Sequence, residues 1–79
     1  MPRYFFHVRY EHDAVDGDGV DLPDFQAAIS EAVRAFGEML QTLDSSANPG
    51  LPLEMTLADE AGIPLCRLHF SAEVLDRQG

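Results

Sequence analysis

The stretch EHDAVDGDGVDLPD, residues 11–24, carries six carboxylates (Glu11, Asp13, Asp16, Asp18, Asp21 and Asp24) and no Lys or Arg. Three kinds of chemistry could use it. Clustered oxygen donors around glycine suit a hard cation such as calcium. A row of exposed negative charge, here Asp13, Asp16, Asp18 and Asp21, can imitate nucleic-acid phosphates toward a basic protein. Asp beside Gly is also ordinary turn chemistry, because Asp bonds to nearby backbone and glycine accepts positive φ. The calcium option fails on spacing. With Gly19 in the sixth position of a calcium loop, Asp16 and Asp18 fall on ligand positions, but Ala14 stands first and Phe25 occupies the place of the bidentate Glu. The stretch therefore reads first as a turn and helix start, and second as a recognition surface.

His7, His12, His69 and Cys66 are the remaining metal-type ligands. A zinc site built from His7, Cys66 and His69 fails on facing, since Cys66 and His69 point to opposite sides of one strand. His7 and His69 are expected as half-exposed sheet residues on strands that could be neighbours. Cys66 has no basic neighbour or helix N-terminus to activate it and reads as a small core side chain. Ser45, Ser46 and Ser71 lack the surroundings of a nucleophile elbow. The carboxylates sit in a solvated turn that would not raise a pKa for acid catalysis. Gly17 and Gly19 lie among aspartates that would repel a phosphate. No catalytic, cofactor-binding or metal-binding residue is expected, and the chain reads as a non-enzyme.

The totals point the same way. A chain of 79 residues has material for one core, so residues 1–79 form a single domain with a thin stability margin. A composition of 46% hydrophobic and 24% charged residues suits a folded domain. Five Arg and no Lys stand against 14 Asp and Glu, a net charge of −9. Such acidity argues against direct contact with nucleic acid or an anionic membrane, and makes a basic protein the natural electrostatic partner. A single cysteine allows no internal disulfide, and no apolar run approaches the roughly 18 residues of a membrane span. The amino terminus lacks a signal-peptide pattern, so a bacterial cytoplasmic location is expected.

These residues need elements to hold them. RYFFHVRY, residues 3–10, alternates as a strand, with Tyr4, Phe6, Val8 and Tyr10 on one face and Arg3, Phe5, His7 and Arg9 on the other. The turn at residues 16–19 predicts a short strand at Val20 and Leu22 that pairs back on the first. Residues 24–43 carry Phe25, Ala28, Ile29, Ala32, Val33, Phe36, Leu40 and Leu43 at helical spacing, with Asp24 as N-cap. Ser-Ser-Ala-Asn-Pro-Gly at 45–50 should end that helix. LEMTLA, residues 53–58, alternates strictly, and residues 63–70 return after a turn with Gly62 in the left-handed position.

The hairpin register is open at this level. A three-residue loop sets Leu57 against Leu65 but places Cys66, Leu68 and Phe70 opposite Thr56 and Glu54. A four-residue loop, which sets Glu54 against Arg67, or a bulge would match the apolar faces. Pro64 marks an edge strand, and the tail SAEVLDRQG is expected to add a helical turn. The predicted fold is α+β, in the order β-β-α-β-β, a small antiparallel sheet of three to four strands with one amphipathic helix on one face. The other face would then carry Phe5 with Leu65, rimmed by Arg3, Arg9 and Arg67, as a dimer surface or partner site.

Three segments, MPRYFFHVR, DGDGVDLPD before an Ala-rich helix, and ADEAGIPLCRLHF, resemble a family of small bacterial proteins classed as a domain of unknown function. The resemblance spans nearly the whole chain and is most specific in the opening. Asp16, Asp18, Gly19, Asp21 and Leu22 stand in the places of an Asp-x-Glu-Gly-x-Glu-Leu pattern in that family. The longer acidic stretch at residues 11–15 departs from it. The resemblance implies the fold and no activity. DLPDFQAAISEAV alone is similar to the strand-to-helix turn of HicB-type antitoxins. Together these observations lead us to expect a non-enzymatic interaction domain that acts through its open sheet face or edge, as a homodimer or with a protein partner. The alternative is an acidic inhibitor or antitoxin-like protein whose Asp-rich loop faces a basic partner.

Overall fold

The computed structural model describes residues 1–10, 12–42, 52–73 and 75. Its elements are β1 (Arg3–Tyr10), β2 (His12–Ala14), β3 (Val20–Asp21), α1 (Phe25–Thr42), β4 (Leu53–Ala58) and β5 (Pro64–Phe70). The antiparallel sheet runs β2-β1-β4-β5, with β3 also on β1. The α+β class, the helix and its place among the strands are as the sequence predicts. β2 is an addition: the acidic stretch after β1 turns back and pairs Val8 with Ala14, Arg9 with Asp13 and Tyr10 with His12.

Alternation in β1 and β4 builds the core. Phe6 lies against Leu57 and Val8 against Met55, on the face that meets α1. Met55 and Leu57 are 1% exposed, and burying each contributes on the order of 2 kcal/mol. Ala28, Ala32 and Phe36, spaced four apart, form the line of α1 that presses on them. Small residues at 28 and 32 let the helix approach the sheet closely. Asp24 caps the helix as predicted, its Oδ1 accepting from the Ala27 N–H at 2.9 Å. The stripe is narrower than its apolar residues suggested, because Phe25 and Val33, expected inside, are 45% and 56% exposed. Leu43 and the helix stop at 45–50 lie outside the described residues.

The β4–β5 hairpin combines two of the sequence options. Asp59 and Ile63 bracket a three-residue loop, with Asp59 N–H donating to the Ile63 carbonyl at 3.1 Å and Gly62 at φ 81°. Alone, that loop would bury the wrong face of β5. A bulge at Leu65, between the pairs Ala58–Pro64 and Leu57–Cys66, restores the match by one residue. Leu68 and Phe70 then oppose Met55 and Leu53. Arg67 consequently faces Thr56, and His69 faces Glu54, which corrects the predicted Glu54–Arg67 pair. β5 is an edge strand, as Pro64 suggested. Residues 71–73 carry no helix, and most of the rest of the tail lies outside the described residues.

Candidate interaction surface

The outer edge of β1 shows what the acidic stretch does. The even-numbered residues of β1 point their backbone groups away from β4: Val8 toward β2, Tyr4 toward β3, and Phe6 into the gap between them. A buried N–H without an acceptor is costly. The Asp16 carboxylate fills the gap, accepting from Phe6 N–H at 3.2 Å through one oxygen and from Asp18 and Gly19 N–H, both at 3.1 Å, through the other. Asp16 N–H in turn donates to His7 Nδ1 at 3.1 Å, which leaves the neutral ring its proton on Nε2. The hydrogen bond from Gly19, with those from Phe6 and Asp18, holds the Asp16 carboxyl below the usual carboxylate range despite its partial burial. Gly19, at φ 74°, leaves room where a Cβ would meet Arg3 Cγ at 2.7 Å and Phe5 at 2.9 Å. Asp16 is thus a structural plug that ties the loop to β1.

The neighbouring carboxylates are engaged as well. Asp21 takes a two-pronged contact from Arg3, at 3.0 and 3.2 Å, and Asp13 pairs with Arg9 at 2.8 Å. Arg3 also donates to the Asp18 carbonyl at 2.9 Å, and its N–H to Glu60 at 3.2 Å. The hydrogen bonds that Arg3 and Arg9 donate to Asp21 and Asp13 raise the pKa of both arginines above the ordinary value. Of the four aspartates proposed as a phosphate-like row, two face arginines and one faces backbone. The side chain of Asp18 alone has no hydrogen-bond partner among the described residues.

The open sheet face mixes polar side chains with the apolar ones of Ala14 and Val15. His7, Arg9, Asp13, Glu54, Thr56 and Arg67 line a shallow hollow of about 400 Å³ on it. Phe5 is half-buried, stacked on His7 at 6.4 Å between ring centres and covered by Gly19. Leu65 sits in the bulge and lines a separate hollow with Pro2, Arg3 and Tyr4. Phe5 and Leu65 are on strands that do not pair with each other. β4 stands between β1 and β5, so His7 and His69 are not on neighbouring strands, as the sequence had allowed. Cys66 faces the core beside Leu57, whereas His7 and His69 pair with residues of the other face, as the facing argument held. Among the described residues, no three His, Cys, Asp or Glu side chains gather as a metal would require.

The opposite edge of the sheet is different in kind. Among the described residues β5 has no strand on its outer side, and α1 overhangs it with Val33, Phe36, Gly37 and Leu40. With Leu68 and His69 these enclose an apolar groove of about 280 Å³. Phe70, two residues beyond Leu68 on the same face of β5, is 38% exposed. β5 itself carries Arg67 and His69 and no carboxylate. The outward row of α1 toward it, Gln26, Ser30, Val33, Gly37 and Gln41, is uncharged. Glu31, Arg34 and Glu38 pair with one another on a different side of the helix. Arg67 donates to Thr56 Oγ1 at 3.3 Å, and of the four described arginines it alone has no carboxylate partner among the described residues. Sequence reasoning missed this flank. Its signals were a Val at the rim of the apolar stripe and a mid-helix glycine four positions later.

No described helix is long and apolar enough to cross a membrane. No curated protein and no solved structure matches the chain. A family model does match residues 3–71, from the first residue of β1 to just past β5, and the chain belongs to that family, described as Domain of unknown function (DUF6894).

Proposed function

We propose that this is a non-enzymatic protein-interaction domain of the bacterial cytoplasm, and that its contact surface is the sheet edge at β5 with the apolar groove beside it. One observation carries the reading. Among the described residues β5 is an edge strand of seven residues, bordered by apolar side chains of α1 that no other described element covers. Free strand edges are templates for pairing, and soluble proteins cover, charge or shorten them unless a partner does so. The single cysteine, which permits no internal disulfide, supports a reducing compartment.

The second reading, an acidic inhibitor or antitoxin-like protein whose Asp-rich loop addresses a basic partner, draws on the net charge of −9. Asp13 and Asp21 pair with Arg9 and Arg3, and Asp16 is turned onto backbone, so the loop offers less charge than its sequence promises. Affinity capture from host extract separates the two. The bait would be the unmodified chain, a Val33→Glu variant and an Asp13→Asn/Asp18→Asn variant, each washed at low and high salt. A partner held at both salt concentrations, lost with Val33→Glu and kept with the Asn pair, is the expected result. A partner held by the unmodified chain and by Val33→Glu at low salt only, and lost with the Asn pair even at low salt, would transfer the role to the acidic loop.

A further inference from the structure

We propose that the β5 flank receives a second copy of this chain, in a two-fold dimer that pairs β5 with β5 antiparallel around Leu68; the proposal rests on the interaction role of this flank argued above. Charge selects the occupant. Two chains of −9 repel over most of their surfaces, and can meet only where carboxylates are absent. β5 and the facing row of α1 are such a place, with no Asp or Glu in the strand or in the row Gln26, Ser30, Val33, Gly37 and Gln41. An isologous contact also lets each apolar groove close against its own kind.

The register follows from three constraints. Pro64 lacks an N–H and Leu65 lies in the bulge, so the regular part of β5 is residues 66–70, whose midpoint is Leu68. A two-fold axis normal to the sheet keeps both helices on one side. Arg67 and His69 must then oppose Arg67 or His69 of the other copy, and Cys66, Leu68 and Phe70 one another. Centring on Arg67 would set two arginines face to face. Centring on Leu68 instead sets Arg67 opposite His69 and Cys66 opposite Phe70, which keeps the two arginines apart. The uncharged rows of the two α1 helices then lie side by side. Gly37 fits this arrangement: among the described residues nothing lies within 4 Å of a Cβ built there, so the glycine answers no crowding from them. Glycine in a helix interior is otherwise disfavoured, and it permits close approach of a neighbouring backbone.

Light scattering over a concentration series tests the state. The unmodified chain should show twice the mass of one chain, and Gly37→Glu, at a position where added side chain meets nothing internal, should weaken association about 100-fold while circular dichroism stays unchanged. The register is tested by cross-linking in a Cys66→Ala background carrying Arg67→Cys, Leu68→Cys or His69→Cys, each checked for folding. Leu68→Cys should form the disulfide-linked dimer fastest. Faster linking at position 67 or 69 would overturn the register, and a monomer at every concentration would overturn the second copy. A monomer that still captures a partner lost with Val33→Glu would leave the interaction role standing; a monomer that captures nothing would remove both.

Discussion

The outer edge of β1 and the outer edge of β5 solve the same physical problem in opposite ways. Each presents backbone groups with no neighbouring long strand. At β1 the chain supplies every cover itself: β2 at one end, β3 at the other, and the Asp16 carboxylate on the Phe6 N–H between them. The aspartates that stand out in the sequence are used there, Asp13 on Arg9 and Asp21 on Arg3. At β5 the described residues supply no outer strand and the strand itself has no carboxylate, only an overhanging apolar flank of α1. The conspicuous charge thus does structural work, and the surface left for a partner is marked by its lack of charge.

The sharpest way to break this contrast is to remove the plug. Asp16→Ala leaves the N–H groups of Phe6, Asp18 and Gly19 without their acceptor, and should cost about 2–3 kcal/mol in urea denaturation. The acidic side of the pH profile checks the same contact. Because the folded state holds the Asp16 carboxyl below its ordinary value, its contribution is complete above that value and is lost as pH falls through it toward the lower folded one. Stability should therefore decline as pH drops below about 4, and less steeply in Asp16→Ala. A variant as stable as the parent, with the same acid slope, would show that the edge is closed by β2 and β3 alone.

Next in size is Gly19→Ala, expected to cost about 2 kcal/mol, part from the positive φ and part from contact with Arg3 and Phe5. Gly62→Ala gives the control, since its φ is also positive but its surroundings are open, and about 1 kcal/mol is expected. Equal losses at the two positions would mean that the loop does not press on β1.

How far these edges could be read from sequence depends on range. The alternation of RYFFHVRY and LEMTLA, the Asp24 cap and the Gly62 turn are local, and local rules predicted them. β2 was not predicted, because HDA has weak strand character and gains its place only by pairing with Val8, Arg9 and Tyr10. The role of Asp16 was half visible: turn chemistry placed it, but its bond to Phe6, ten residues back, depends on the gap between two short strands. The Phe5–Leu65 surface was inferred from facing alone. Facing cannot show that Gly19 covers Phe5 or that a bulge displaces Leu65. At β5 the difficulty was the width of the helix stripe. Val33 fits the buried period, yet the sheet ends beneath it.

Gly37→Ala sharpens the contrast from the other side. A helix interior prefers alanine, and a Cβ at 37 meets nothing among the described residues, so the single fold should gain about 0.5–1 kcal/mol. The same methyl group points into the flank proposed to meet a second copy. Dissociation by dilution should therefore become easier as thermal stability measured on the dilute chain rises. A gain in both would mean that no second backbone comes near position 37.

The smallest effect expected is at the Arg9–Asp13 pair across β1 and β2. Both side chains are 66% exposed, and ion pairs so exposed are screened and entropically costly to hold. Arg9→Ala and Asp13→Ala should each move the denaturation midpoint less than any change above, and the double variant should equal their sum. A clear excess over additivity, fading with added salt, would mean that charge rather than backbone pairing closes this edge. The acidic stretch would then matter for its charge after all, and the distinction between the two edges would reduce to the presence of a partner strand.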